Sequence, residues 1–301
     1  MSEMQRVGFI GTGVMGSSMA GHLLAAGYPV TVYNRSPEKA RALIDAGARW
    51  VNTPADVARS SDIVITIVGF PADVEQVYLG QQGVVAEARP GTILIDMTTS
   101  SPALARTIAE SAAARGVHVL DAPVSGGDVG ARNATLTIMV GGDESAFERA
   151  MPVLSVMGRS VRLQGGPGAG QHAKMANQIA IAGSMFATVE MLSYAAAVGL
   201  DPATVLESVK AGSAASWSLD NLAPRILRRD FAPGFFVKHF VKDLRIALES
   251  AEEAGIDLPA LSLAKSMYER LEREGGEDMG TQALWLLYAS DDERTSAGIS
   301  A

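Results

Sequence analysis

The chain has 301 residues, of which 48% are hydrophobic, and its formal net charge is −8 at pH 7. This length can bury the cores of two domains, and the acidic balance argues against nucleic acid as a partner, because nucleic-acid-binding proteins usually carry a clustered basic face. There is no cysteine, which excludes disulfides and thiolate metal sites. No secretory signal and no apolar run of about 20 residues is evident, so we expect a cytoplasmic protein without a membrane segment.

Short β-branched runs alternate with helical segments from residue 6 to about residue 164. The runs are apolar throughout, which predicts a parallel sheet covered by helices on both faces. The predicted strands are residues 7–10, 30–33, 63–68, 92–96, 117–120 and 136–140, and the helical segments between them include residues 15–26, 37–46 and 102–115. We therefore predict an α/β domain with a doubly wound sheet over residues 1–164.

A glycine-rich segment at residues 165–170 precedes sequence that is helical in pattern. The first helix is predicted over residues 171–198, which would make it about 40 Å long. Further helices are predicted from residue 202, over 238–254 and over 258–272, and residues 276–301 are expected to be partly loose. We predict an all-helical domain over residues 165–301, joined to the first by the long helix. Its apolar helices have faces that one chain would hardly cover, so a homodimer or homotetramer is expected.

The first predicted strand runs directly into a Gly-x-Gly-x-x-Gly sequence at the start of a helix, formed by Gly11, Thr12, Gly13, Val14, Met15 and Gly16. Between a strand and a helix, such a loop is typical of dinucleotide binding. The first glycine permits the tight turn, the second lets the pyrophosphate approach the backbone, and the third permits close helix packing. The free N–H groups of the helix then face the phosphates. The alternative is a glycine-rich turn without a ligand.

The residues after the second predicted strand indicate which dinucleotide is preferred. An acidic residue here would bind the ribose 2′-hydroxyl of NAD, but the strand is followed by Asn34, Arg35 and Ser36. Arg35 can make bidentate bonds to the 2′-phosphate of NADP, and its neighbours can add donors. We therefore predict NADP as the preferred cofactor and NAD as the alternative. The competing interpretation is that Arg35 is a solvated residue at a strand end.

Further motifs resemble one enzyme family. Residues 121–127 read DAPVSGG, residues 135–142 read TLTIMVGG, residues 168–178 read GAGQHAKMANQ and residues 242–244 read KDL. Together with GFIGTGVMG at residues 8–16, they resemble the β-hydroxyacid dehydrogenases, and the resemblance extends from residue 7 to about residue 289. It implies a Rossmann-type N-terminal domain and hydride transfer between NADP(H) and a small β-hydroxyacid or acid semialdehyde, hence a small carboxylate substrate.

The resemblance also implies roles for individual residues. Lys174 would be the general acid and base, with Asn177 and Gln178 one turn further along the same helix face. The substrate would be bound by Ser125, Gly126, Gly127, Phe235, Asp243 and Trp217. Besides the glycine-rich loop and residues 34–36, the cofactor would be bound by Val68, Gly69, Pro71, Thr99 and Lys242. No histidine and carboxylate cluster has metal-ligand spacing, so no metal is expected.

Two positions depart from the usual family pattern. Ala134 stands where glycine is usual, and Gln178 stands where several members have asparagine. Other interpretations stay open: Lys242 with Asp243 as a surface ion pair, and Trp217 in a core or an interface. His172, two residues before Lys174, points away from it on a helix and is predicted to have a packing role.

Two alternatives stay open for the whole chain. One is an imine-reductase-like enzyme, although such enzymes usually lack lysine at the position of Lys174. The other is a non-catalytic NADP-binding regulatory protein, and such relatives tend to lose this lysine or gain basic appendages.

Overall fold

The computed structural model describes residues 4–299. The chain divides into two compact units, Met1–Lys174 and Met175–Ala301. This boundary lies further along the chain than the one predicted after residue 164. The reason is that residues 165–174 still belong to the first unit: they follow the last strand of the sheet and form the first turn of a helix that packs on the strand ends.

The first unit contains a sheet that has nine strands within residues 4–299. The strands are β1 (Val7–Ile10), β2 (Val30–Tyr33), β3 (Arg49–Trp50), β4 (Ile63–Thr66), β5 (Ile93–Asp96), β6 (His118–Asp121), β7 (Val124–Ser125), β8 (Leu136–Gly142) and β9 (Gly158–Gly165). Their order is β3-β2-β1-β4-β5-β6-β8-β7, and β9 also pairs with β8. β1 to β6 are parallel, whereas β8 is antiparallel to β6 and β7. This order confirms the predicted doubly wound, Rossmann-type domain.

Three strands, β3, β7 and β9, were not predicted from the sequence. β3 and β7 have two residues each, too few to show any periodicity. β9 pairs only with β8 in the described sheet and carries exposed polar residues, so it lacks the continuous apolar run of a central strand. Short or peripheral strands therefore depend on neighbours that sequence patterns do not display.

Helices cover both faces of the sheet, as the apolar strands predicted. They are α1 (Val14–Ala25), α2 (Arg41–Asp45), α3 (Pro54–Ser60), α4 (Pro71–Leu79), α5 (Val84–Glu87), α6 (Pro102–Ala113), α7 (Gly127–Arg132) and α8 (Glu144–Leu154), with a 3-10 turn at Pro37–Ala40. Within β4, Val64 and Ile65 are completely buried in two different core clusters. Adjacent strand residues thus enter opposite cores, which requires both faces to be apolar.

The parallel register defines the edge of the sheet where ligands of such folds bind. Ile10, Thr66, Asp96 and Asp121 lie side by side at the carboxyl ends of β1, β4, β5 and β6. Both aspartates are buried. Because ligands bind outside the carboxyl ends of parallel strands, this edge positions the candidate site of the first unit.

The second unit is helical. The helices are α9 (Ala169–Ala197), which begins within the residue range of the first unit, then α10 (Pro202–Val209), α11 (Trp217–Asn221), α12 (Ala223–Leu227), α13 (Val237–Glu253), α14 (Pro259–Leu271) and α15 (Asp291–Ser296). A π-helical turn at Glu272–Gly276 and a 3-10 helix at Thr281–Tyr288 lie between α14 and α15. In the core, the rings of Phe240 and Tyr268 meet edge to face with centroids 4.9 Å apart.

The expectation of a partly loose tail over residues 276–301 is wrong for the 3-10 helix at Thr281–Tyr288. Leu284 and Leu286 of the 3-10 helix are buried in the helical core, and the Tyr268 hydroxyl donates to the carbonyl oxygen of Thr281 at 2.9 Å. The apolar residues form a continuous run without helical period, so the sequence pattern did not reveal the packing. Residues 300 and 301 lie outside the described residues.

α9 is, by length and composition alone, apolar enough to cross a membrane. Its most hydrophobic 18-residue window has a mean hydropathy of 1.4, and 33% of that window is buried. Polar residues interrupt the sequence of α9, so it contains no long uninterrupted apolar run, and the helix was not predicted as a membrane segment. Core helices of soluble proteins pass the same test, so the feature is weak evidence of a membrane.

Candidate functional site

The three glycines of the loop between β1 and α1 meet different demands. Gly11 has φ +95°, and a Cβ atom there would lie 2.0 Å from the carbonyl oxygen of Ile67. At Gly16, a Cβ would lie 1.9 Å from the carbonyl oxygen of Gly11, whereas at Gly13 it would meet no atom within 4 Å. Packing within the protein therefore explains Gly11 and Gly16 but not Gly13. The absence of a Cβ at Gly13 fits close approach of a ligand phosphate to the backbone.

Asn34 ties this loop to the end of β2. The Thr12 N–H donates to Asn34 Oδ1 at 3.0 Å, and Asn34 Nδ2 donates to the carbonyl oxygen of Ser36 at 2.9 Å. Thr12 Oγ1 is buried and has no hydrogen-bond partner within residues 4–299. Buried hydroxyls are normally paired, so an unpaired one beside the glycine-rich loop fits a polar ligand such as a dinucleotide.

Arg35 extends into solvent. Its side chain is 87% exposed, and Nη1 lies 3.5 Å from Oδ1 of Asp73. An exposed ion pair at this distance contributes little free energy, so the guanidinium can turn toward a ligand phosphate at small cost. The structure thus brings Asn34 to the loop and leaves Arg35 available near the end of β2.

The other expected cofactor residues of the first unit follow β4 and β5 at the same edge. Val68, Gly69, Pro71 and Thr99 are all partly buried. The Val68 N–H donates to the Thr98 hydroxyl at 3.0 Å, which links the loop after β4 to the loop after β5. These residues are therefore placed on neighbouring loops beside the glycine-rich turn.

Two consecutive glycines follow Ser125, the last residue of β7. Gly126 has φ +127° and Gly127 has φ +61°, conformations that glycine adopts without steric cost. Ala134 nearby has φ +54°, and this left-handed conformation costs a residue with a Cβ about 1–2 kcal/mol. The departure noted in the sequence thus coincides with a backbone conformation that favours glycine.

A buried carboxylate holds the start of α9. Asp121 accepts hydrogen bonds from the N–H groups of Gly168, at 2.7 Å to Oδ1, and Gln171, at 2.8 Å to Oδ2. The Gln171 side chain accepts from the Ser100 N–H at 2.9 Å and donates from Nε2 to the carbonyl oxygen of Thr98 at 2.8 Å. Sequence reasoning assigned no role to Asp121 or Gln171. The available signal was a polar residue at the end of an apolar strand and another early in an apolar helix.

Glycines allow the first turn of α9 to touch the strand backbones. A Cβ on Gly170 would lie 2.3 Å from the carbonyl oxygen of Asp121 and 2.5 Å from that of Met139. A Cβ on Gly141 would lie 2.5 Å from the Gly170 nitrogen. We call Asp121, Gly141, Gly170 and Gln171 together the α9 anchor.

Burial raises the pKa of Asp121 to about 6, and the hydrogen bonds from the backbone N–H groups of Gly168 and Gln171 act in the opposite direction. Desolvation is the larger effect because it penalises the charged form in a site from which water is excluded. The carboxylate is therefore ionised at neutral pH but closer to protonation than an exposed aspartate.

Lys174 follows Gln171 by three residues and is the last residue of the first unit. It is 6% exposed. Lysines are seldom so buried, and this burial distinguishes Lys174 from the solvated lysines of most helices. His172 is exposed, with Nε2 3.5 Å from Nη1 of Arg106.

A chain of polar contacts joins four predicted site residues within the second unit. Asp243 of α13 is fully buried and accepts from Gln178 Nε2 at 2.6 Å through Oδ2, while Oδ1 lies 3.0 Å from Lys242 Nζ. Gln178 Oε1 in turn accepts from Asn177 Nδ2 at 2.8 Å. The Lys242 side chain is only 12% exposed, so this ion pair is not on the surface.

The two aromatic residues expected near the substrate are more exposed. Phe235 is 36% exposed and its ring packs edge-on against Phe240, with centroids 5.9 Å apart. Trp217 is 66% exposed at the start of α11, which excludes a core role. Both side chains present apolar surface that can contact a ligand or a second chain.

Two family descriptions match nearly the whole chain. Residues 6–166 match the NAD binding domain of 6-phosphogluconate dehydrogenase. Residues 168–288 match a family described as NAD-binding of NADP-dependent 3-hydroxyisobutyrate dehydrogenase. The first match covers the Rossmann-type unit, and the second begins at the segment that carries Lys174.

Named relatives agree with these matches. The chain is 51% identical over 282 residues to probable 3-hydroxyisobutyrate dehydrogenase-like 1 of Arabidopsis thaliana, covering 93% of this chain and 84% of the relative. It is 38% identical over 279 residues to 2-hydroxy-3-oxopropionate reductase of Escherichia coli, covering 93% and 95%.

Solved structures agree as well. The chain resembles Mycobacterium tuberculosis 3-hydroxyisobutyrate dehydrogenase, solved with L-serine, at 31% identity and a TM-score of 0.89, covering 96% of this chain and 100% of the other. A structure described as Psf3 in complex with NADP+ and 2-OPP matches with 27% identity and a TM-score of 0.86, covering 94% and 100%.

Replacing Gly13 or Gly16 with alanine should separate ligand contact from internal packing. We expect Gly13→Ala to keep the stability of the wild type within about 1 kcal/mol and to weaken dinucleotide binding at least tenfold, since its methyl group occupies only the space for the ligand. Gly16→Ala should be destabilised by about 3 kcal/mol or more because its methyl group meets the Gly11 carbonyl. Thermal unfolding and fluorescence titration with NADPH and NADH test both. Unchanged binding in Gly13→Ala would contradict this site.

The buried carboxylate should make stability depend on pH. Relative to Asp121→Asn, the wild-type free energy of unfolding should fall by about 3 kcal/mol between pH 3 and pH 7, most of it between pH 4 and pH 6, and then stay level. In this window the unfolded chain has already ionised Asp121 while the native chain still holds the proton, so rising pH favours unfolding. Urea unfolding of both proteins at several pH values measures the difference, in which the titrations of other carboxylates cancel. A difference independent of pH would refute the raised pKa.

Proposed function

Because the chain belongs to the β-hydroxyacid dehydrogenase family, we propose that it transfers a hydride between NADP(H) and a small β-hydroxyacid or acid semialdehyde, with Lys174 as general acid and base. The family membership makes it an NAD(P)-dependent hydroxyacid dehydrogenase. The observation that carries the finer proposal is Lys174 itself, a buried lysine one turn after an anchored helix start.

Lys174 moves the proton in this proposal. The bound nicotinamide supplies the hydride in reduction and accepts it in oxidation. The Lys174 ammonium donates a proton to the carbonyl oxygen as its carbon is reduced, and the neutral amine takes the proton back in the opposite direction. Asn177 and Gln178, one turn further along α9, help to hold the amine, and Asp243 orients the Gln178 amide through their 2.6 Å hydrogen bond.

The end of β7 and the two glycines after it bind the substrate carboxylate. Ser125 offers a hydroxyl, and Gly126 and Gly127 offer backbone N–H groups without a Cβ to block approach. The positive φ values of both glycines support such a concave turn. Phe235 and Trp217 contribute exposed aromatic surface and shape substrate choice.

The glycine-rich loop holds the pyrophosphate of the cofactor, and Val68, Gly69, Pro71, Thr99 and Lys242 bind the rest of the dinucleotide. Asn34, Arg35 and Ser36 bind the 2′-phosphate, which makes NADP preferred over NAD. The absence of an acidic residue at this strand end and the NADP+ in a related solved structure support this preference.

We further expect a cytoplasmic homodimer or homotetramer. The absence of cysteine suits a reducing compartment. Tyr194 and Val198 near the end of α9 are 68% and 51% exposed, and apolar side chains of this size are commonly covered by a second copy.

Removing the amine of Lys174 should stop the reaction without emptying the cofactor site. We expect Lys174→Met to lower kcat by about 100- to 10,000-fold, because general acid–base catalysis contributes that much, while NADPH binding is kept. The measurement is oxidation of NADPH with a panel of two- to four-carbon acid semialdehydes, and reduction of NADP+ with the hydroxyacids. The matched control is Lys210→Met, which removes a lysine paired with Glu207 on the surface and should keep full activity. Preserved turnover in Lys174→Met would end the proposed mechanism.

Arg35 should decide between the two cofactors. Arg35→Ala is expected to raise KM for NADPH by at least about tenfold, or 1.4 kcal/mol, and to change KM for NADH little, because only NADPH carries the 2′-phosphate. Arg35→Lys keeps the charge but loses the bidentate geometry, so an intermediate value is expected. Equal effects on the two cofactors would refute the role of Arg35.

A further inference from the structure

The structure assigns a positioning role to Asp121: we propose that its carboxylate, acting through the backbone of α9, sets where Lys174 lies within the first unit. Asp121 does not contact the substrate in this scheme. The inference rests on the proposed function, in which Lys174 moves the proton.

The carboxylate fixes the place and direction of the first turn. Its two oxygens accept from two backbone donors, Gly168 and Gln171, at 2.7 Å and 2.8 Å. These N–H groups belong to the start of a helix, where donors lack partners inside the helix and the dipole favours a negative charge. Because two hydrogen bonds are made to the planar carboxylate of Asp121, the first turn of α9 cannot rotate about a single contact.

The Gln171 amide fixes the rotation of the helix about its axis. It is completely buried and bonds to the backbone of Ser100 and Thr98, in the loop after β5. Lys174 follows Gln171 by three residues and so leaves the helix on a neighbouring part of the same face. The rotation set at Gln171 therefore sets the direction of the Lys174 side chain at its base.

The glycine contacts remove the remaining freedom. Gly170 lies so close to the carbonyl oxygens of Asp121 and Met139 that a Cβ would approach them to 2.3 Å and 2.5 Å. The helix start therefore rests directly on the backbones of β6 and β8. Positioning at this precision matters because a misplacement of about 1 Å can cost roughly a hundredfold in rate.

The need for two acceptors explains a charged residue at this buried place. Asparagine has nearly the same shape as Asp121, but its NH2 group would face one of the two N–H donors, and one bond would be lost. Burying a carboxylate without a cationic partner is otherwise unfavourable. An ionised carboxylate satisfies both donors at once.

The test is Asp121→Asn, assayed against Asp143→Asn. Asp143 caps α8 by accepting from the Ala146 N–H at 3.1 Å, so this control removes a helix-capping charge from a helix that carries none of the proposed site residues. For Asp121→Asn in the direction of semialdehyde reduction, we expect kcat per bound NADPH to fall at least about tenfold, while KM for the acid semialdehyde and Kd for NADPH change less than about twofold. The primary isotope effect with 4-deuterated NADPH should rise. Amide hydrogen exchange over residues 168–174 should accelerate. Asp143→Asn should leave all five quantities unchanged.

A merely structural cap would behave differently. It would reduce the number of NADPH sites per chain and leave kcat per site and the isotope effect unchanged, and that result would overturn the inference. Unchanged exchange over residues 168–174 would overturn it as well. If Asp121→Asn does not fold, Gln171→Met keeps the carboxylate, removes the amide and carries the same expectations.

Lys174→Met separates this inference from the proposed function. An active Lys174→Met would sink the proposed function itself. An inactive Lys174→Met combined with normal kcat and isotope effect in Asp121→Asn would sink only the positioning role.

Discussion

One buried carboxylate decides where the long helix begins. Asp121 receives two N–H groups from the segment that starts α9, and the same segment packs on strand backbones without room for a methyl group. The α9 anchor links the sheet to Lys174, because fixing the first turn of a helix also fixes the directions in which the following side chains leave the helix. It also explains why the first compact unit ends within α9 and not at the glycine-rich segment before it.

In the second unit, the buried carboxylate of Asp243 contacts side chains, whereas Asp121 accepts from backbone N–H groups. Asp243 receives a side-chain amide from Gln178 and lies beside the ammonium of Lys242. A buried ion pair is weak evidence of stability, because desolvation opposes the Coulomb attraction. Removing one partner nevertheless leaves the other as an uncompensated buried charge, which costs about 3–5 kcal/mol. Such a pair is better explained by the orientation it imposes on Gln178 than by the free energy it adds.

The cofactor loop shows how packing and ligand binding can be told apart. Gly11 and Gly16 are required by contacts inside the protein. At Gly13 a Cβ would meet no described atom within 4 Å, and the buried Thr12 hydroxyl has no hydrogen-bond partner among residues 4–299. Residues that the native packing does not explain are the ones that point to a ligand.

The sequence by itself determined the doubly wound sheet, the helical second part and the family, because apolar strand runs and ordered motifs are local patterns that need no partner to be read. Only the tertiary structure decided the places of β3, β7 and β9, the packing of the tail, and the roles of Asp121 and Gln171. These last two residues are 50 positions apart and meet only after β6 and α9 have packed. The physical reason is that hydrogen bonding and exclusion of water depend on neighbours in space, which a local pattern does not contain.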